Sequence, residues 1–188
     1  GKTQICLALA AEALAEGRHS NLGVVYLDLD HHFDAARLHR LLQGALGRRG
    51  AAAQPAADEL MHRVDVLQAR DWEGYTKCIS RLEALVPERP ARLVLIDSIA
   101  APAFSFGGGI VARQQALAHQ AAMLKALATR HNLAVLVTNR TAGADAEAGN
   151  MLGVAWAHCV NVRLALRAAA SGEARRPSTA EPRRVGTV

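Results

Sequence analysis

Aromatic residues are scarce in this 188-residue chain, at 4% of the total, while alanine is very common. A core poor in rings and rich in alanine suits close packing of helices on a sheet, although a GC-rich genome would bias the composition the same way. Cysteine is scarce too. Cys6, Cys78 and Cys159 lie far apart and form no CxxC pair, which argues against a disulfide framework or a thiolate metal site and makes a reducing compartment the default. No apolar run reaches the roughly 18 residues that a membrane-crossing helix needs, and no signal peptide is visible. There is no initiator methionine; the chain opens inside a motif and reads as a fragment. What is present is ordinary for a globular α/β protein: 51% hydrophobic and 21% charged residues, enough chain for one substantial core. The net formal charge is +5 and the pI is near 9.6. That balance fits a polyanion partner, but many soluble proteins share it.

Helical and strand-like segments alternate. Ile5, Leu7, Leu9, Ala13 and Leu14 show helical spacing in a segment ending near Gly17. Val24 to Leu27 is a short run of β-formers closed by Asp28-Leu29-Asp30. A helix fits Ala35 to Leu46, a loop Gly47 to Ala57, a strand Val64 to Leu67 and a helix Trp72 to Leu85. Leu93 to Ile96 is a continuous apolar run ending in Asp97, the pattern of a parallel strand buried on both faces. Gly107 to Gly109 form a loop before a long helix, Ala112 to His131. Leu133 to Val137 reads as another buried strand, Thr141 to Gly149 as a small-residue loop, and Val160 to Leu166 as a last clear strand. Such alternation predicts a mostly parallel sheet with helices on both faces. In such sheets ligands bind beyond the carboxyl ends of the strands, where Asp28, Asp30, Asp97, Ser98, Asn139 and Arg140 follow the apolar runs. Residues 1–167 form the expected core. Residues 168–188, with Arg175, Arg176, Arg183 and Arg184, form a basic segment rich in Pro, Ala and Arg, read as a solvated tail or as a contact to DNA or a partner.

Gly1-Lys2-Thr3 matches the last three residues of the phosphate-binding loop pattern G-x-x-x-x-G-K-[ST] and runs straight into a helix. In that arrangement backbone N–H groups and the helix N-terminus hold phosphate oxygens. Lys2 then serves the β- and γ-phosphates and the Thr3 hydroxyl serves Mg²⁺. The tripeptide alone is a weak signal. Arg92 to Ser98 strengthens it: four apolar residues and then Asp97 have the form of a strand that delivers a carboxylate to Mg²⁺. The plainer alternative is that Asp97 caps the next turn. Hydrolysis of a nucleotide also needs a group to orient the attacking water, and the end of the first strand, Asp28 and Asp30, is the best source. His31 and His32 follow, and adjacent loop histidines are more often solvated than catalytic.

Taken in order, these pieces resemble the RecA/RadA recombinase family, particularly its eukaryotic paralogues. Gly1-Lys2-Thr3-Gln4 is similar to the family's GKTQ. Val25 to Asp30 with Phe33, Arg37 and Leu38 is similar to YIDTEGxFxxxRL, and Arg92 to Ser98 to LLIVDS. Ala112-Arg113-Gln114 is similar to SARQ, and Leu133 to Asn139 to VAVVITNQ. Leu152-Gly153 with Trp156, His158 and Asn161 to Leu164 is similar to LGxxWxHxVNxRL. The likeness covers roughly residues 1–167. It implies a RecA-like P-loop ATPase core that binds ATP and Mg²⁺ and works in the nucleus in recombination and double-strand break repair. It also implies assembly with other recombinase paralogues or the recombinase filament on single-stranded DNA. Gly1, Lys2, Thr3 and Gln4 become the nucleotide-binding residues, Thr3 and Asp97 the metal residues, and Asp30 and Arg140 the catalytic pair.

The departures from the family pattern matter as much. Asp30 stands where the family has a longer glutamate. Arg140 stands where a glutamine senses the γ-phosphate, and is expected to face that phosphate or a neighbouring subunit. The two DNA-facing loops map to about 103–112 and 140–152 and carry few cations, which predicts weak autonomous DNA binding. Weak or slow hydrolysis is therefore expected. Two rivals stay open: a non-catalytic bridging module with a relic P-loop, and a small-molecule or nucleotide kinase, which would usually carry an Arg-rich lid not seen here.

Overall fold

The computed structural model describes residues 1–50, 53–140 and 152–166. Four parallel strands form one sheet in the order β2-β1-β3-β4, with β1 Gly23–Asp28, β2 Val64–Gln68, β3 Ala91–Asp97 and β4 Ala134–Val137. The helices are α1 Lys2–Glu16, α2 Ala35–Arg48, α3 Ala53–Met61, α4 Trp72–Glu88, α5 Ala100–Phe104, α6 Ile110–His131 and α7 Gly153–His158.

The alternation of strand side chains sorts the helices into two layers. Val24, Tyr26, Leu93 and Leu95 pack with Leu7, Ala10 and Leu14 of α1, Leu38 and Leu42 of α2, and Leu60 of α3. Their neighbours Val25, Leu27, Val94 and Ile96 pack with Tyr75, Ile79 and Leu82 of α4, Leu117 and Leu124 of α6, and Trp156 of α7. β1 is buried along its whole length, so both faces are covered as its apolar run requires. The alanines of α1, Ala10, Ala11 and Ala15, are fully buried and let the helix lie close on the sheet. Gly23 is required at the start of β1. A Cβ there would sit 2.4 Å from the Arg63 carbonyl oxygen.

Local signals end several elements where expected. Asp34 caps α2 by accepting from the Arg37 N–H at 2.8 Å, and Asp71 caps α4 by accepting from the Gly74 N–H at 2.7 Å. Asn132 closes α6 with φ 50°, a left-handed conformation that asparagine tolerates.

Other expectations fail. The loop assigned to residues 47–57 is largely helical, because α3 begins at Ala53. Pro55 falls in its first turn, where the missing N–H has no intrahelical partner to lose. β4 is not buried on both sides. Ala134 is exposed and Val135 to Val137 are half-buried, because β4 hydrogen-bonds only to β3 among the described residues. The strand expected over Val160 to Leu166 does not form. Residues 161–166 are irregular, and Val162, Leu164 and Leu166 are 51%, 76% and 51% exposed. An alternating pattern marks a segment able to pair, but pairing needs a neighbouring strand edge, and this segment has none among the described residues. The loop at 141–149, most of the second loop expected to face DNA and the basic tail lie outside the described residues. Within the first of the two loops expected to face DNA, only residues 105–109 separate α5 from α6.

Candidate functional site

The parallel sheet brings the carboxyl ends of β1 and β3 side by side, with Asp28 opposite Asp97 in register. Asp97 follows Leu93 and Leu95 at two-residue steps and so faces the α1 layer. It is 2% exposed and meets no cation among the described residues. Instead, the Tyr26 hydroxyl donates to one carboxylate oxygen at 2.9 Å and the Thr138 hydroxyl donates to the other at 2.5 Å. Tyr26 lies two residues before Asp28 on the same strand, its ring edge-on to Phe33 with centroids 4.9 Å apart. Burial, and then the Asp97 charge, push the Tyr26 phenol well above its ordinary value. The same two causes, burial first, push the Cys6 thiol up to about 12. Cys6 is one turn into α1 from Lys2, so Asp97 lies close under the start of that helix.

α1 begins at Lys2 with Gly1 as its N-cap. No side chain caps it and its first turn has no acidic residue. Lys2 is exposed and Thr3 is half-buried. A helix start of this kind presents N–H groups and the positive end of the helix dipole. Gln4 is held aside, its side-chain oxygen accepting from Arg37 Nε at 3.3 Å, which ties α1 to α2.

The turn after β1 is pinned to β3. The N–H groups of Leu29 and Asp30 both donate to the Asp97 carbonyl, at 2.8 and 3.2 Å. Asp28 is 1% exposed and accepts from the His32 N–H and from Gln68 Nε2, each at 2.9 Å. Its role is to close this turn. Asp30 accepts from the Ser98 hydroxyl at 2.9 Å and pairs with Arg140 at 3.2 Å. His31 and His32 are exposed. The Asp97–Ser98 peptide is cis.

The fold therefore gathers Asp30, Asp97 and Arg140 at one sheet edge, with Lys2, Thr3 and Gln4 on the helix start above it. Reading the sequence had missed Tyr26, Thr138 and the partnership of Ser98 with Asp30. Two-residue spacing could have placed Tyr26 on the face of Asp28. Nothing local pairs Thr138 with Asp97, since 41 residues separate them. Trp72 packs against Tyr75 and Phe106, and Trp156 is buried in the α4–α6 layer. Arg163 is exposed outside any strand.

Layers, strand order and the paired carboxylates at the strand ends define the molecule as a RecA-like α/β core. The Rad51 family model matches residues 1–179, and the chain belongs to that family. It is 32% identical over 179 residues to DNA repair protein RAD51 homolog 4 of Bos taurus, a match covering 88% of this chain and 51% of that protein. DNA repair protein XRCC3 of Bos taurus is 31% identical over 180 residues, covering 87% and 53%. Meiotic recombination protein DMC1 homolog A of Oryza sativa subsp. japonica is 30% identical over 180 residues, covering 89% and 50%. The chain spans about half the length of these relatives. Among the described residues no helix is long and apolar enough to cross a membrane.

Proposed function

We propose that this chain is the ATP-binding core of a nuclear recombination and double-strand break repair protein. In this reading it works within an assembly of related recombinase paralogues, at or near the recombinase filament, and touches single-stranded DNA weakly or indirectly. Residues 1–167 are the core and 168–188 a basic appendage. The observation that carries the reading is the buried Asp97 carboxylate, fixed by two neutral hydroxyls under the uncapped start of α1, in a chain of the Rad51 family.

The residues suit a magnesium nucleotide. Each Asp97 oxygen accepts one hydrogen bond and keeps a lone pair, so the carboxylate can receive a metal-bound water. Lys2 and the N–H groups from Gly1 to Gln4 bind phosphate oxygens, and Thr3 supplies a hydroxyl to the metal. Magnesium, when bound, offsets negative charge on the phosphates. Asp30 orients the attacking water, and Arg140 faces the γ-phosphate or a neighbouring subunit. The shorter reach of Asp30 and its engagement by Arg140 and Ser98 favour slow hydrolysis. The test is ATP binding and turnover in the intact protein, with and without Lys2→Ala. Affinity in the parent and its loss in the variant support the reading; no affinity in the parent overturns it.

A second reading is a bridging subunit with a relic site. The Asp30–Arg140 pair favours it, since it occupies the carboxylate that hydrolysis needs. Repair and assembly left intact by Lys2→Ala would establish this reading in place of the first.

A further inference from the structure

Tyr26 carries a phenol into a fully buried position, in the core layer that holds Cys6 and Leu7 of α1, Leu38 of α2 and Leu95 of β3. Phenylalanine would fill that place and bury no polar atom, and a buried hydroxyl is costly unless it is paired. Here it is paired across the sheet, with Asp97, 71 residues further along the chain. The ring is confined as well, edge-on to Phe33. On the side of α1 the Cys6 thiol lies beside the hydroxyl, one helical turn after Thr3. Tyr26 therefore meets both halves of the candidate site: the strand end that offers a carboxylate and the helix whose first turn offers a hydroxyl. Thr138 holds the other Asp97 oxygen. It follows β4, so the two donors reach Asp97 from opposite flanks of β3.

We propose that Tyr26, backed by Thr138, is a positioning residue that fixes the Asp97 carboxylate relative to α1 and so sets how tightly the site takes magnesium with a nucleotide, a role that rests on the ATP-binding reading and deepens it. Tyr26 acts through Asp97. Its hydroxyl takes away the carboxylate's freedom to turn about its last torsion, and the two donors together leave one orientation. Groups that orient a metal-binding side chain from behind change metal affinity by about ten- to a hundredfold. The residues proposed to hold phosphate, Lys2 and the N–H groups from Gly1 to Gln4, make no hydrogen bond to Tyr26 among the described residues. Loss of the phenol hydroxyl therefore weakens the magnesium-dependent part of nucleotide binding and spares the rest.

The test is a magnesium titration of nucleotide binding by the intact protein. It measures the dissociation constant of a non-hydrolysable ATP analogue in EDTA and the Mg²⁺ concentration that gives half of the maximal tightening. Tyr26→Phe keeps the ring and its contact with Phe33. It should raise the half-saturating Mg²⁺ concentration roughly tenfold or more and leave the constant in EDTA within about twofold of the parent. In an Asp97→Asn background, Tyr26→Phe should have no further effect. Should Tyr26→Phe fail to fold, Thr138→Val puts the same question to the other oxygen, with the same expected rise. An unchanged magnesium requirement in the folded variant would overturn the proposal. Equal weakening with and without magnesium would overturn it too, since the hydroxyl then only braces the fold, as would an effect that persists without the Asp97 carboxylate. If the parent binds the analogue neither with nor without magnesium, the ATP-binding reading falls and the positioning role with it. If the parent shows the magnesium dependence and the variants do not shift it, only the positioning role falls.

Discussion

Asp97 and Asp30 sit on adjacent turns of the same sheet edge, but the protein holds them by opposite means. Asp97 is sealed in and given two neutral hydroxyls, Tyr26 and Thr138, both supplied by neighbouring strands or their ends. Asp30 is nearer solvent and is given one hydroxyl and one cation. Neutral donors on a rigid sheet fix where a carboxylate points without cancelling its charge, which is what the metal role proposed for Asp97 would require. A guanidinium on a long, half-exposed side chain instead cancels much of the charge it meets.

Tyr26→Phe and Thr138→Val together should have the largest effect, because they strip a buried carboxylate of both donors. A loss of about 3 kcal/mol is expected from two buried hydrogen bonds to a charged group, read as a lower midpoint in denaturant titration of the intact protein. A loss below about 1 kcal/mol would mean that Asp97 is solvated in solution and that the contrast with Asp30 is false. Tyr26→Phe alone should cost about 1.5 kcal/mol, half of the loss in the double variant.

An alkaline titration probes the same buried cluster from another side. The Cys6 thiol is raised from an ordinary value of 9.0 to about 12 in the folded protein. A raised value means that its contribution is fully present below pH 9 and is lost as pH rises towards 12. The unfolded chain releases the proton first. Stability should fall over that window, and Cys6→Ala should remove a part of the fall on the order of 1 kcal/mol at pH 10. Parallel curves for parent and variant would show that the thiol is not buried beside Asp97.

The smallest effect belongs to the exposed pair. Asp30→Asn should change stability by less than about 1 kcal/mol, since Arg140 is half in water. A larger loss would make the pair a structural brace and remove the distinction drawn above.

Much of the frame was legible along the chain. The apolar runs at Val24 to Leu27 and Leu93 to Ile96 read as strands because doubly covered parallel strands have no polar face, and both ended in aspartates as expected. The helix at Trp72 to Leu85 was legible from its spacing. α3 was missed because a proline and nearby glycines suggested a loop, although a first-turn proline is compatible with a helix. Val160 to Leu166 misled in the other direction: alternation reports a residue's readiness to pair, not the presence of a partner edge. The candidate site was legible as a set of residues at strand ends, but its pairings were not.

Sequence by itself determined the kind of layers, the strand ends on which the carboxylates fall and the helix that starts at Lys2. Those properties follow from local periodicity and from side-chain chemistry at the ends of runs. Tertiary structure alone decided that Tyr26 and Thr138 share Asp97 and that Arg140 reaches Asp30. Such contacts depend on the order and register of β1, β3 and β4, which join segments 41 to 110 residues apart and which no local pattern encodes.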